Sequence, residues 1–451
     1  MSASLRDIRN CFEGVIPSII ATVDADGLPN VSYLSHVHFV DDEHVALSNQ
    51  FFSKTAANVR TTGGATVLVV DARTGDQHML DLRYVGAVAE GELFQRMAAQ
   101  LEAASSEQGM GEVMALRSAD LYRVVDHWPV PNPQAAGPTP SEPTRPDRLA
   151  AAADLAAVIA AEPDADAMLD RALDGLVELF GYANAMALTP DETGRRLLTL
   201  ASRGYATAGV GSEVEVGRGA IGIAARTGRP VRFSDMSRGR RFNAAVAAEL
   251  DTSRLIPLPR LGEAQSQLAV PMISRERLFG VLFLESTERF AFSHDDENAL
   301  VLVAGQVAAG LRLLELEGRG PDAAPAARAA ARGTGAPFGV RHYSFDDSVF
   351  IDGAYVIKGV PGRLLFHLLS VYVATGRREF TNREIRLEQS LRLPDIKDNL
   401  ETRLILLRRR LEERGAPVQL RRLGRGLIGL EVVGAPSLET AEGPGRPTAS
   451  P

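Results

Sequence analysis

The 451-residue sequence contains a single cysteine, Cys11. One chain can therefore form no internal disulfide and assemble no cysteine-rich zinc or iron–sulfur centre, so no metal site is expected. No apolar run approaches the roughly 20 residues that cross a bilayer. The N-terminal stretch MSASLRDIRNCFEGV lacks the continuous apolar core of a signal peptide. These absences imply a cytoplasmic protein with no membrane partner. Positive charge is also in deficit, with 49 Lys and Arg against 57 Asp and Glu for a net charge of −8. A field of that sign repels phosphate, so any contact with nucleic acid must come from a local basic cluster. No internal repeat of solenoid type is present.

What remains is ordinary for folded domains: 45% hydrophobic and 24% charged residues. The length implies roughly three domains of about 150 residues each. Two stretches divide the chain. Residues 129–148, PVPNPQAAGPTPSEPTRPDR, hold too many prolines for a helix and read as an extended linker. Residues 318–337 are biased to Gly, Pro and Ala, with almost nothing large and apolar to bury. The expected domains are 1–128, 149–317 and 338–434, with residues 435–451 as a disordered tail.

In the first domain, Ser18 to Val23, a turn over residues 24–29, and Asn30 to Val40 alternate with the period of two of paired strands. His44–Ser48 and Ala65–Asp71 continue the pattern around a helical stretch from Lys54 to Thr61, which predicts a small antiparallel barrel. The motif ALSNQFFSKTAANVR at 46–60, followed by the strand ATVLVVD at 65–71, resembles the flavin-binding split barrels of the pyridoxamine 5'-phosphate oxidase superfamily. The resemblance implies that FMN is the cofactor, with Ser48, Asn49 and Gln50 at its ring, Ser53, Lys54 and Thr55 at its phosphate, and Ser35 also among the cofactor-binding residues. A lysine and hydroxyls beside free helix N-terminal amides suit an anion. The same Ser53-Lys-Thr run equally fits an N-cap leading a solvated helix. Ser32 stands where oxidases of the family present an arginine. His36 and His38 share a strand face at a spacing that could ligate a metal or haem, but two half-exposed histidines without a third ligand nearby are more often structural.

The middle domain opens with amphipathic helices carrying Leu155, Val158 and Ile159, then Met168, Leu169, Leu173 and Leu176. Strands over 185–188 and 197–202 follow, flanking a charged turn. The stretch VGRGAIGIAARTGRPVRFSD from Val216, then QSQLAVPMI from Gln265, LFGVLFLES from Leu278 and a helix over 295–314 resemble a GAF domain in order and spacing. The resemblance implies an α+β fold, an unidentified small-molecule effector between the sheet and a covering loop at about 234–263, and homodimerisation through the first and last helices. That loop carries Arg238, Arg240, Arg241 and Phe242, which suit an anionic or aromatic ligand or are simply solvated. Gly217, Gly219 and Gly222 suit a tight turn into a helix, and Gly280 a close approach of two strands.

The third domain begins with a hairpin over 348–359 turning at Asp352-Gly353. A helix over 361–375, a second starting at Phe380-Thr-Asn-Arg-Glu, a third over 398–415 and a hairpin over 418–432 follow. This order resembles the winged helix-turn-helix effector domain of response-regulator transcription factors. The resemblance implies that exposed Thr402, Arg403, Arg408 and Arg410 face duplex DNA and that Arg422 and Arg425 on the wing reach the adjacent backbone. A winged helix used for protein contacts is the competing reading.

The fold class implied is a multidomain chain: antiparallel split β-barrel, α+β GAF domain, winged helix-turn-helix. The function implied is a one-component sensory transcriptional regulator that binds double-stranded DNA as a homodimer under control of a small-molecule effector. The alternative is a flavin-dependent oxidoreductase with regulatory domains. Against it stands the lack of an evident acid–base pair beside the flavin, although Arg73, His78 and Arg83 lie near the barrel.

Overall fold

The computed structural model describes residues 4–50, 54–107, 115–131, 147–237, 256–317, 335–393, 400–424 and 426–442. The N-terminal unit comprises β1 (Ser18–Val23), β2 (Pro29–Leu34), β3 (Val37–Phe39), β4 (His44–Asn49), α1 (Lys54–Thr62), β5 (Gly64–Val70), β6 (Gln77–Val88), α2 (Glu92–Glu107) and β7 (Ser118–Val130). Its seven strands form one antiparallel sheet in the order β2-β1-β5-β6-β7-β4-β3. Only Ser35 and His36 separate β2 from β3, yet these strands stand at opposite edges of the sheet. Two residues span about 7 Å at most. The sheet must therefore curl until its edges meet at that link, which makes a split barrel. Alternation places Ile20, Leu34, Val45, Leu47, Val67 and Leu80 inside.

The central unit comprises α3 (Arg148–Ala161), α4 (Ala165–Glu178), β8 (Asn184–Pro190), β9 (Arg196–Arg203), β10 (Glu213–Glu215), α5 (Gly219–Thr227), β11 (Val231–Phe233), β12 (Ser266–Ser274), β13 (Arg277–Ser286) and α6 (His294–Glu317). Its sheet runs β10-β9-β8-β13-β12-β11. Asp147 and Asp164 cap α3 and α4, each carboxylate accepting from two free amides of the first turn. Gly280 sits where a Cβ would lie 2.0 Å from the Leu188 carbonyl oxygen of the paired strand β8, which is the close approach expected of it. By length and composition α6 is long and apolar enough to cross a membrane, contrary to the expectation that no such run is present. One side of it, from Ala299 and Leu300 through Val303 and Val307 to Leu311, is buried in the core of this unit.

The C-terminal unit comprises β14 (Phe338–Tyr343), β15 (Ser348–Ile351), β16 (Ala354–Ile357), α7 (Val360–Thr375), β17 (Glu379–Thr381), α8 (Asn382–Leu387), α9 (Leu400–Glu413), β18 (Val418–Gly424), β19 (Leu427–Val432) and β20 (Pro436–Ala441). The hairpin β15–β16 turns through Asp352 and Gly353, with φ of 49° and 79°. This is the paired left-handed geometry that Asp-Gly favours. Thr381 caps α8 in a reciprocal capping box with Glu384. The expected disordered tail begins instead as β20, which pairs in parallel with β14 along six residues from Phe338↔Pro436 to Tyr343↔Ala441. The first linker is also shorter than 129–148, since β7 runs to Val130 and α3 begins at Arg148.

The units share cores. Ala99 and Ala103 of α2 belong to the same apolar cluster as Ile221, Ala224 and Ala225 of α5. A second cluster joins the central helices to α7 and α9, from Leu155 and Leu173 through Leu365 to Leu407.

Candidate functional site

At the barrel's seam the structure brings Ser35, Ser48 and Gln50 together. The His36 amide donates to Ser48 Oγ (3.1 Å), and Ser35 Oγ donates to Gln50 Oε1 (3.2 Å). Gln50 Nε2 is buried among the described residues without a hydrogen-bond acceptor. Such a donor normally has a partner, so this amide suits an acceptor brought by a ligand. Asn49 turns inward and donates to Asp120 Oδ2 (3.1 Å), whose carboxyl burial pushes above the usual range. Lys54 is exposed at the first residue of α1, and Thr55 is buried and accepts from Asn30 Nδ2 (3.0 Å). Ser53 lies outside the described residues.

His36 and His38 lie with ring centroids 5.8 Å apart. Among the described residues no group of three or more His, Cys, Asp or Glu could hold a metal. Both histidines face a polar hub that sequence reading missed. Arg232 of β11, 8% exposed, meets Glu13 of the barrel (2.5 Å) and Glu297 of α6 (3.0 Å), and contacts His294. Its main chain is bracketed by Gln100 of α2: Gln100 Nε2 donates to the Arg232 carbonyl (2.6 Å) and the Arg232 amide donates back (3.2 Å). Burial, with the charge of Arg232, lowers His36 to about 4 and holds His294 far below the usual range, and burial, with His36, Arg96 and Arg9, lowers His38 to about 3. Cys11 is buried and its thiol is pushed up to about 12, mainly by desolvation. That state is unreactive. Arg73, considered for a substrate, stacks over Phe290 of the central unit.

The central unit holds a cavity of about 230 Å³ between β13, the start of α5 and the chain at 258–264, lined by Arg218, Ile221, Arg260, Gln267, Phe283 and Glu285. Gly219 and Gly222 make the tight entry to α5, and a Cβ on Gly222 would lie 2.2 Å from the Glu215 carbonyl oxygen. Glu285 is buried, which raises its carboxyl above the usual range, and it accepts from the Leu261 amide (2.8 Å). The expected ligand contacts Arg238, Arg240, Arg241 and Phe242 lie outside the described residues.

On α9 the structure corrects the expected exposed face. Thr402, Arg403 and Arg410 are only 3%, 6% and 6% exposed. Arg410 donates to the Val356 carbonyl (2.9 Å) and pairs with Glu413 (2.6 Å), so it anchors the helix to β16. The reason is that α9 is buried on more than one flank, among β16, α7 and the central unit's α4 and β9. Arg408 and Arg422 do come together, and with Arg421 they line a small cavity between α9, the β18–β19 hairpin and the start of α4. Arg425 lies outside the described residues. The facing side of that cavity is acidic: Asp164 and Asp166 line it as well.

Comparison with known proteins agrees with two of the three units. Residues 6–124 match the family model for pyridoxamine 5'-phosphate oxidase, and residues 162–312 match that for the GAF domain. No curated protein matches the chain. Among solved structures, the GAF domain of an Acinetobacter phosphoenolpyruvate-protein phosphotransferase is 20% identical and covers 38% of this chain and 95% of its own, with a TM-score of 0.32. An FMN-binding protein from Syntrophomonas wolfei subsp. wolfei is 19% identical and covers 28% of this chain and 88% of its own, with a TM-score of 0.25. Free methionine-R-sulfoxide reductase from Neisseria meningitidis, solved with its substrate, is 22% identical and covers 36% of this chain and 85% of its own, with a TM-score of 0.29.

Proposed function

We propose that this chain, in which a pyridoxamine 5'-phosphate oxidase-like barrel precedes a GAF domain, is a one-component sensory regulator whose C-terminal unit is a winged helix that binds double-stranded DNA. The observation that carries the reading is the convergence of guanidinium groups. Arg408 on α9 and Arg421 and Arg422 on the β18–β19 hairpin are distant in sequence but line one cavity, in a chain that is acidic as a whole. A helix and a hairpin strand carrying arginines side by side suit the phosphates and groove of a duplex. The cavity beneath the GAF sheet, with Arg218 and Arg260 near a buried Glu285, suits a small polar effector. Homodimerisation would cover Val158 of α3 and Val301 of α6, both exposed.

In the barrel, the orphaned Gln50 amide with Ser35 and Ser48 suits the polar edge of a flavin ring, while Lys54 at the α1 N-terminus suits its phosphate. FMN bound there would supply redox chemistry, and the chain's own residues would orient it. Flavin fluorescence quenched on addition of the protein, and quenched less by Lys54→Ala, is expected; no quenching by the full chain would remove the cofactor. The DNA reading is tested by retention of labelled duplex fragments at low ionic strength. Retention should fall with salt and fall again on replacing Arg421 and Arg422 with Ala. Retention unchanged by that double substitution would overturn the assignment of the hairpin.

A further inference from the structure

The arginines assigned to the duplex, and Arg409 next to Arg408, already have partners: Arg421 pairs with Glu431 of its own hairpin (3.1 Å), and the others reach across to α4. Arg408 pairs with Asp166 at the start of α4. Arg409 donates from Nε to Asp166 Oδ1 (2.7 Å) and from Nη2 to the Asp166 carbonyl (3.2 Å), and it also pairs with Asp170 (3.0 Å). Arg422 on the hairpin pairs with Asp164 (2.5 Å). Beyond this face, Glu413 at the end of α9 accepts from the Gly209 amide of the GAF domain (2.9 Å), and Lys358 pairs with Glu213 (2.8 Å). We infer that the first turns of α4 are an intramolecular decoy for nucleic-acid phosphate: Asp164, Asp166 and Asp170 occupy the guanidinium face of α9 and the hairpin, and the chain binds DNA only when the two units part.

Three physical points support this, and the inference rests on the DNA reading above. Carboxylate and phosphate engage the guanidinium fork in the same way, so the two partners exclude each other. The cavity at the contact is small, about 60 Å³, and leaves no room for a duplex backbone. The N-terminal end of a helix carries partial positive charge, which by itself repels arginine. The docked state at this face therefore depends on the carboxylates. Neutralising them turns an attractive surface into a repelling one, while Asn at position 164 still caps α4.

The test compares the full chain with the triple variant Asp164→Asn, Asp166→Asn, Asp170→Asn in binding a labelled random-sequence duplex. A control variant, Glu178→Gln, Glu276→Gln, Glu288→Gln, makes the same change in net charge at exposed positions elsewhere on the GAF domain. Docking that leaves a tenth or less of the chains open weakens apparent affinity about tenfold. The Asn variant should accordingly bind about tenfold tighter or more, the control should stay near the parent, and adding Arg421→Ala and Arg422→Ala should remove the gain. If the parent and Asn variant bind equally, or the control gains as much, the decoy is overturned while DNA binding stands. If none of them binds, the DNA reading itself fails and the decoy falls with it.

Discussion

Arg232 shows how much of this molecule is held by a single buried charge. It satisfies Glu13 and Glu297 at once and lies across the contact between barrel and GAF domain. Replacement by Met would leave the buried Glu13 carboxylate without its guanidinium and Glu297 with only Arg96, 3.9 Å away, and breaking a buried pair in this way typically costs about 3–5 kcal/mol. The urea midpoint of Arg232→Met should fall accordingly, and adding Glu13→Gln should recover part of the loss; an unchanged midpoint would remove the hub's structural role. Nothing in the sequence marked Arg232 apart from other arginines, because Glu13 lies 219 positions away. Gly280 was legible for the opposite reason. A glycine inside an apolar strand pattern has few explanations, and the Leu188 carbonyl against it is one of them. At the barrel's seam, the run Ser48-Asn-Gln stands out as a motif in the sequence. The inward turn of Asn49 toward Asp120 was not, since it depends on a pairing between β4 and β7.

Elements closed by local chemistry were read correctly. The Asp352-Gly353 turn and the Thr381–Glu384 capping box lie where their residues imply, because each is decided within four positions. Elements closed by distant partners were not. The strand β20 has the composition of a tail, with Leu438 its one large apolar residue, and only its parallel ladder to β14 makes it a strand. Truncation after Val433 would leave that edge of β14 unpaired and take Leu438 from the core. The shortened chain should melt lower and aggregate more readily on heating; an identical melting curve would show that β20 contributes nothing. The helix α9 was misread on its polar side for a related reason. Thr402, Arg403 and Arg410 were expected on an exposed face, but α9 packs on more than one flank and they turn inward.

The three units are joined by apolar and ionic contacts rather than strung apart. His36, His38 and His294 stand at the junction of barrel and GAF domain, facing Arg232, Arg9, Arg96, Glu13 and Glu297. An unfolded chain protonates its histidines near 6.5, whereas folded His36 takes a proton only near about 4. Between those values the unfolded state binds more protons, so stability is complete above about 6.5 and falls as pH drops through the window. Melting temperatures recorded from pH 8 to pH 5 should decline below about 6.5, and the double variant His36→Gln, His38→Gln should show a shallower slope; equal slopes would acquit these histidines. The division into three parts was legible from proline and glycine runs. The interlocking was not, because composition reports where a chain can bend but not which faces meet. The lodging of α2 against α5 reaches back to the ribosome. α2 ends at Glu107 and α5 starts at Gly219, so at about 5–20 residues per second the nascent barrel waits on the order of ten seconds with its alanine face bare. Anything that shields that face during translation would govern how much of this protein matures.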